Sequence, residues 1–87
     1  MTHYPTTAAV MAALRAKGFD PCYTPPEDGC DGEIAVVKDI TIQRCLYAGG
    51  YAVNRWIEDE QAQVSYPARA TIPEILIDLS VAMTVTP

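Results

Sequence analysis

With 87 residues, 49% of them apolar and 20% charged, the chain has the composition of one globular domain (1–87) with a packed core, which excludes a disordered or low-complexity polypeptide. Eleven acidic against six basic residues leave a net charge of -5, and this argues against direct nucleic-acid binding, whose non-specific affinity comes from basic patches on phosphates. No apolar run approaches the roughly 20 residues that span a bilayer, and the first residues lack the basic and apolar regions of a secretion signal, so no membrane association and a cytoplasmic location are expected.

Residues 1–5 read as a flexible terminus. Thr6 or Thr7 can then cap a helix over residues 8–17, the hydroxyl accepting a backbone N–H one turn in. Met11 and Leu14 fall on one face, and Arg15 and Lys17 sit in the last turn, where they suit the helix dipole. Gly18 is placed to end this helix in a left-handed conformation, with Phe19 folding back on the last turn. Residues 20–32 read as a long loop, because Pro21, Pro25 and Pro26 remove backbone donors; a short extended piece near 19–23 is compatible with it. This loop carries Glu27, Asp28, Asp31 and Glu33, whose spacing is not that of a calcium loop and suits a solvated acidic surface or a contact for a basic partner.

Four strands are expected next, as an antiparallel meander. Residues 33–37 form the first, Lys38-Asp39 a tight turn, and residues 40–48 the second, in which Ile40, Ile42 and Leu46 alternate with Thr41, Gln43 and Cys45. Gly49-Gly50 suits a two-residue hairpin loop into a third strand over 51–58, since both glycines tolerate positive φ. That loop would set Leu46 opposite Val53, Ile42 opposite Ile57 and Arg44 opposite Arg55. Facing arginines are unfavourable, so either the register slips at a bulge, pairing Tyr47 with Tyr51, or the two guanidinium groups converge and hold an anion. Glu58-Asp59-Glu60 reads as an acidic turn, and residues 61–66 as a polar edge strand.

Thr71-x-x-Glu74 has capping-box spacing, with Pro73 in the first turn of a second helix that runs to about residue 83. Ile72, Ile75, Leu76, Leu79 and Met83 form its core stripe, widened by Ile77 and Val81, whose exposure would point to a dimer or partner groove.

Reactive groups are sparse. His3 is the single histidine, so no Ser-His-Asp or Cys-His arrangement can be assembled away from the terminus. Cys22, Cys30 and Cys45 are odd in number, with reduced thiols the default and a Cys22–Cys30 bridge the alternative; their spacing is not that of a zinc site. Gly49-Gly50 lacks the surrounding pattern of a phosphate loop. The expectation is a protein without catalytic function, metal or cofactor.

The order helix, loop, meander, helix defines an α+β two-layer sandwich with both helices on one face of the sheet. The layout resembles that of the double-stranded RNA binding domain, but residues 67–78 offer only Arg69, beside Glu74 and Asp78, where that family carries lysines, so RNA binding is not implied. Size, acidity and layout are also similar to those of small phage-encoded accessory proteins, including anti-CRISPR proteins. That resemblance implies an inhibitor, working in the host cytoplasm, that covers a basic surface of a nucleic-acid-handling complex. The residues expected to meet such a partner are Glu27, Asp28, Asp31, Glu33, Glu58, Asp59 and Glu60, with Tyr51 or Trp56 as aromatic anchor. The protein is expected to be a monomer or homodimer. A self-assembling structural or phage assembly component, joined through residues 61–66 or the apolar rim of the second helix, and an anion-binding module using Arg44 and Arg55 are the alternatives.

Overall fold

Helix α1 (Thr7–Ala16) starts where the Thr6 hydroxyl accepts the Ala9 N–H at 3.1 Å. It stops at Gly18, whose φ of 93° is open only to a residue without a Cβ penalty. Two reversed hydrogen bonds close this end, Phe19 N–H to Leu14 O at 3.1 Å and Gly18 N–H to Arg15 O at 3.0 Å, which is the expected Schellman arrangement. Replacing Thr6 with alanine orphans a helix N–H and should cost about 1 kcal/mol. Thermal denaturation should show this as a fall in Tm of roughly 4–8 °C, with Thr6→Ser near wild type; an unchanged Tm for Thr6→Ala would mean that the cap contributes nothing.

The computed structural model describes residues 5–26, 32–45 and 49–84. Its strands are β1 (Cys22–Thr24), β2 (Glu33–Val37), β3 (Ile40–Cys45), β4 (Gly50–Ile57) and β5 (Ala62–Ser65), followed by helix α2 (Ile72–Thr84). They form one antiparallel sheet in the order β1-β2-β3-β4-β5. The meander therefore has one strand more than the four expected. Short β1 lies inside the stretch read as a loop, where Tyr23 pairs with Ile34 of β2. Three residues flanked by prolines carry too little periodicity to stand out; pairing with β2 makes them a strand.

The β3–β4 register differs from the one that a Gly49-Gly50 loop implies. Cys45 faces Gly50, Arg44 faces Tyr51, Ile42 faces Val53 and Ile40 faces Arg55, so four residues form the connection. Of the two glycines only Gly49 has positive φ, 72°, whereas a tight two-residue turn of the expected kind needs it at both positions. The offset from the expected pairing is an even four positions, so Ile40, Ile42 and Val53 keep their place on the buried face. The Lys38-Asp39 turn forms as expected, with Asp39 at φ 69° and a register shift between Ala35 and Val37.

Both helices pack on one face of the sheet. Val10 and Leu14 of α1 and Ile75, Leu79 and Ala82 of α2 close over Ile34, Val36, Ile40, Ile42, Tyr51 and Val53. The α+β two-layer architecture is thus as the sequence predicts. Helix α2 is turned relative to its apolar stripe, however: Asp78 and Ala82 are buried while Met83 is 46% exposed. Arg69 Nε donates to Asp78 Oδ2 at 2.8 Å, which gives the buried carboxylate its partner. The Asp78 hydrogen bond and charge also raise the Arg69 pKa above the ordinary arginine value. Its charge, and so this contribution, is fully present below the unfolded value and is lost only as pH climbs beyond it, so the arginine side of the pair is constant around neutrality.

Residues 66–71 bind the end of β5 to the start of α2. Tyr51 and Arg69 exchange backbone hydrogen bonds at 2.9 and 2.8 Å. Thr71 and Glu74 meet in a form other than the expected capping box: the bond runs between their side chains, Thr71 Oγ1 to Glu74 Oε1 at 2.7 Å, while the Ile75 N–H meets Thr71 O at 3.1 Å.

Candidate protein-interaction site

Tyr51 is not a surface anchor. It is 1% exposed, and its hydroxyl donates to Pro5 O at 2.9 Å and lies 3.2 Å from Thr7 Oγ1. An inward position on the interior strand β4 puts the ring in the core between sheet and helices, and the hydroxyl finds partners at the start of α1 as a buried phenol must. Its role is to hold the N-terminal segment on the core.

Trp56 is the aromatic residue that reaches the surface. On β4 it is one position out of phase with buried Val53 and Ile57, pairs with Gln63 of β5, and is 39% exposed. Its backbone N–H donates to the Asp39 backbone carbonyl at 2.7 Å, which ties the β2–β3 turn to the end of β4. The next residues turn back through Gln61, at φ 50°, with backbone and side-chain nitrogens of Gln61 donating to Glu58 O at 3.1 and 2.9 Å. The result is a shallow recess of about 120 Å³ lined by Asp39, Arg55, Trp56, Ile57, Glu58 and Asp59. Glu58, Asp59 and Glu60 are all exposed there.

Two turns far apart in sequence thus bring three recess-lining carboxylates beside an indole, with Glu60 next in the chain. Asp39 is the member that sequence reasoning missed. The signal was a turn acid on a neighbouring hairpin, legible only once the hairpins are known to be adjacent. Carboxylates on exposed turns stay hydrated, so they contribute direction and attraction toward a cation more than fixed pairing. The indole supplies the apolar area.

Glu33 is exposed but stands apart from this corner. It pairs with Gln43, which faces Ala52, four residues before Trp56 on β4, or about 13 Å along the strand. Glu27, Asp28 and Asp31 lie outside the described residues. So do His3 and Cys30, while Cys22 carries an exposed free thiol and the Cys45 Sγ donates to Gln43 O at 3.6 Å. The face of the sheet turned away from the helices is otherwise neutral, carrying Thr24, Thr41, Gln43, Asn54, Gln63 and Ser65 by the alternation of the register.

The arginine pair does not form as expected. Arg44 faces Tyr51 and Arg55 faces Ile40, so the two are separated along the strand by the Ile42–Val53 pair, and the cross-strand juxtaposition on which an anion site was predicated is lost. Arg55 instead lines the acidic recess, its buried Nε without a hydrogen-bond partner among the described residues. Also among the described residues, no group of His, Cys, Asp and Glu is placed to hold a metal ion, and no helix is long and apolar enough to cross a membrane.

The fold defines the class: a small α+β two-layer protein with an acidic, tryptophan-bearing end. Compared with protein-family models, with curated proteins and with solved structures, the chain gives no match.

Proposed function

We propose that this chain is a protein-binding module that acts without catalysis, docking its acidic end on a basic surface of a partner protein in the cytoplasm. The observation that supports this reading is the exposed indole of Trp56 beside Asp39, Glu58 and Asp59. An aromatic ring with a charged rim has the make-up of an interface hot spot, and the rim speeds and directs encounter with a cationic partner. A basic channel that ordinarily holds nucleic-acid phosphates is such a surface. Covering it would inhibit a nucleic-acid-handling complex, in the manner of the anti-CRISPR proteins that the chain resembles in size and charge.

The test is retention of a partner from bacterial lysate by tagged protein, followed by affinity measurement with the recovered partner. Trp56→Ala should weaken binding by about 30-fold or more, as loss of a hot-spot anchor does. Reversing Glu58, Asp59 and Glu60 to lysine should weaken it further and flatten its dependence on salt. Equal affinity and equal salt dependence in both variants would refute the reading.

A further inference from the structure

Helix α2 exposes Ile77 and Val81, yet the surface of this protein that dictates its own complement is an edge of the sheet. In the order β1-β2-β3-β4-β5, β5 has a neighbour on one side only. Its backbone phase is fixed by Tyr66, whose N–H donates to Val53 O at 2.9 Å. Bonded and non-bonded positions alternate along an antiparallel ladder, so Ala62, Val64 and Tyr66 turn their backbone groups to β4 while Gln63 and Ser65 turn theirs outward. Trp56, opposite Gln63, has the matching phase, since its backbone N–H goes to Asp39 on the other side of β4. Natural sheets blunt such an edge with lysine, proline or a bulge. The opposite edge, β1, is three residues long between Pro21 and Pro25. Residues 62–65 carry no charge and no proline, and their pairing with β4 runs without a shift.

We infer that β5 pairs antiparallel with β5 of a second copy of the same chain, about a two-fold axis that passes between the two Val64 residues. A closed dimer requires a surface complementary to itself, and the backbone sets the register. With Val64 opposite Val64, Gln63 of each copy faces Ser65 of the other, and both pairs exchange their N–H and carbonyl bonds. A slide of two residues one way sets Gln63 against Pro67, which has no N–H to donate. The other way it sets Ser65 against Gln61, whose φ of 50° is not extended and whose N–H is already given to Glu58 O. A slide of one residue aims Gln63 and Ser65 at groups already bonded to β4.

Side chains and charge fit the same register. Ala62, Val64 and Tyr66, half-buried in the single chain, continue the apolar face across the axis as Ala62–Tyr66 and Val64–Val64 pairs. On the other face the Gln63 amide, which donates to Ser65 Oγ at 3.0 Å within one strand, meets Ser65 of the copy. Glu60 falls opposite residue 68, so the two acidic turns lie about 27 Å apart along the strands, beyond the roughly 8–10 Å over which salt lets exposed charges interact. A parallel pairing would set them side by side, in a protein whose net charge is -5.

Sedimentation equilibrium of the full chain over micromolar to millimolar concentration should show the mass rising from 9.5 kDa toward twice that value, and hydrogen exchange at the Gln63 and Ser65 amides should slow as the dimer forms. Ser65→Pro removes an outward donor and no bond to β4, at a position where an edge strand accepts proline. Its monomer should keep its circular dichroism while dimerisation weakens about tenfold or more. Val64→Lys and Val64→Glu should each be monomeric, because each sets like charges face to face across the axis, and an equimolar mixture of the two should restore a dimer. A chain monomeric at every concentration overturns the inference and leaves the edge to a strand of another protein. A dimer indifferent to Ser65→Pro or to Val64→Lys overturns it as well, and a mixture that stays monomeric overturns the register. No residue of β5 lines the acidic recess, so either surface can fail its test without the other.

Discussion

Gly50→Ala is expected to cost about 3 kcal/mol, near the upper end for forcing an atom into a packed site. Gly50 is buried at the first position of β4, and a Cβ built there falls inside contact distance of the Arg69 carbonyl oxygen and carbon. The obstacle is backbone, held by the Tyr51–Arg69 hydrogen bonds, so it cannot swing aside as a side-chain tip would. Relief requires lifting residues 69–70 off β4, which loosens the attachment of α2. In a domain of this size the loss corresponds to roughly 12–24 °C in Tm, a large part of a marginal stability. Gly49→Ala, at φ 72°, meets the left-handed penalty of an L side chain and should cost about 1 kcal/mol. Urea denaturation of both variants decides the matter: equal losses would show that the glycine pair serves the turn alone.

Arg69→Leu should rank beside Gly50→Ala among the most damaging single changes. The substitution leaves the Asp78 carboxylate, on a residue 6% exposed, without the guanidinium that accounts for its burial. An unpaired charge in an apolar layer is far costlier than an absent pair. Asp78→Leu should cost much less, because Arg69 is only part-buried and can turn toward Glu74 and solvent. Combining Arg69→Leu with Asp78→Leu should recover most of the stability lost in the first variant. Additive losses in that double-mutant cycle would show that the two residues do not act as a pair.

These two sites mark where the sequence stops being legible. Helix α1, its Thr6 cap and its Gly18 stop are local events, in which each bond joins residues within five positions, so the pattern of Thr, Gly and Phe specifies them without the rest of the chain. Strands β2 to β5 were legible for a similar reason. Alternation of Ile40, Ile42, Val53 and Ile57 with polar neighbours reports one buried face, and a register error of an even number of residues leaves that face unchanged.

What was not legible depends on segments that meet only after folding. Gly50 looks like half of a turn until residue 69 passes over it. Asp78 looks like a polar interruption of an apolar helix until Arg69 arrives to pair with it, on a helix that buries Asp78 and Ala82 and leaves Met83 exposed. Tyr51 and Trp56 are equally aromatic in sequence; strand phase alone sends one into the core and the other to the surface. At the candidate site, Glu58, Asp59, Glu60 and Trp56 were identified from a local run of residues, whereas Asp39 joined them, and Glu33 was separated from them, by the lateral order of the strands. Composition and periodicity by themselves determined an acidic, two-layer α+β domain, because burial of apolar faces is a property of each element. Which side chains share a surface was decided by strand register and by the Arg69 crossing, because these rest on pairings between residues distant in the chain.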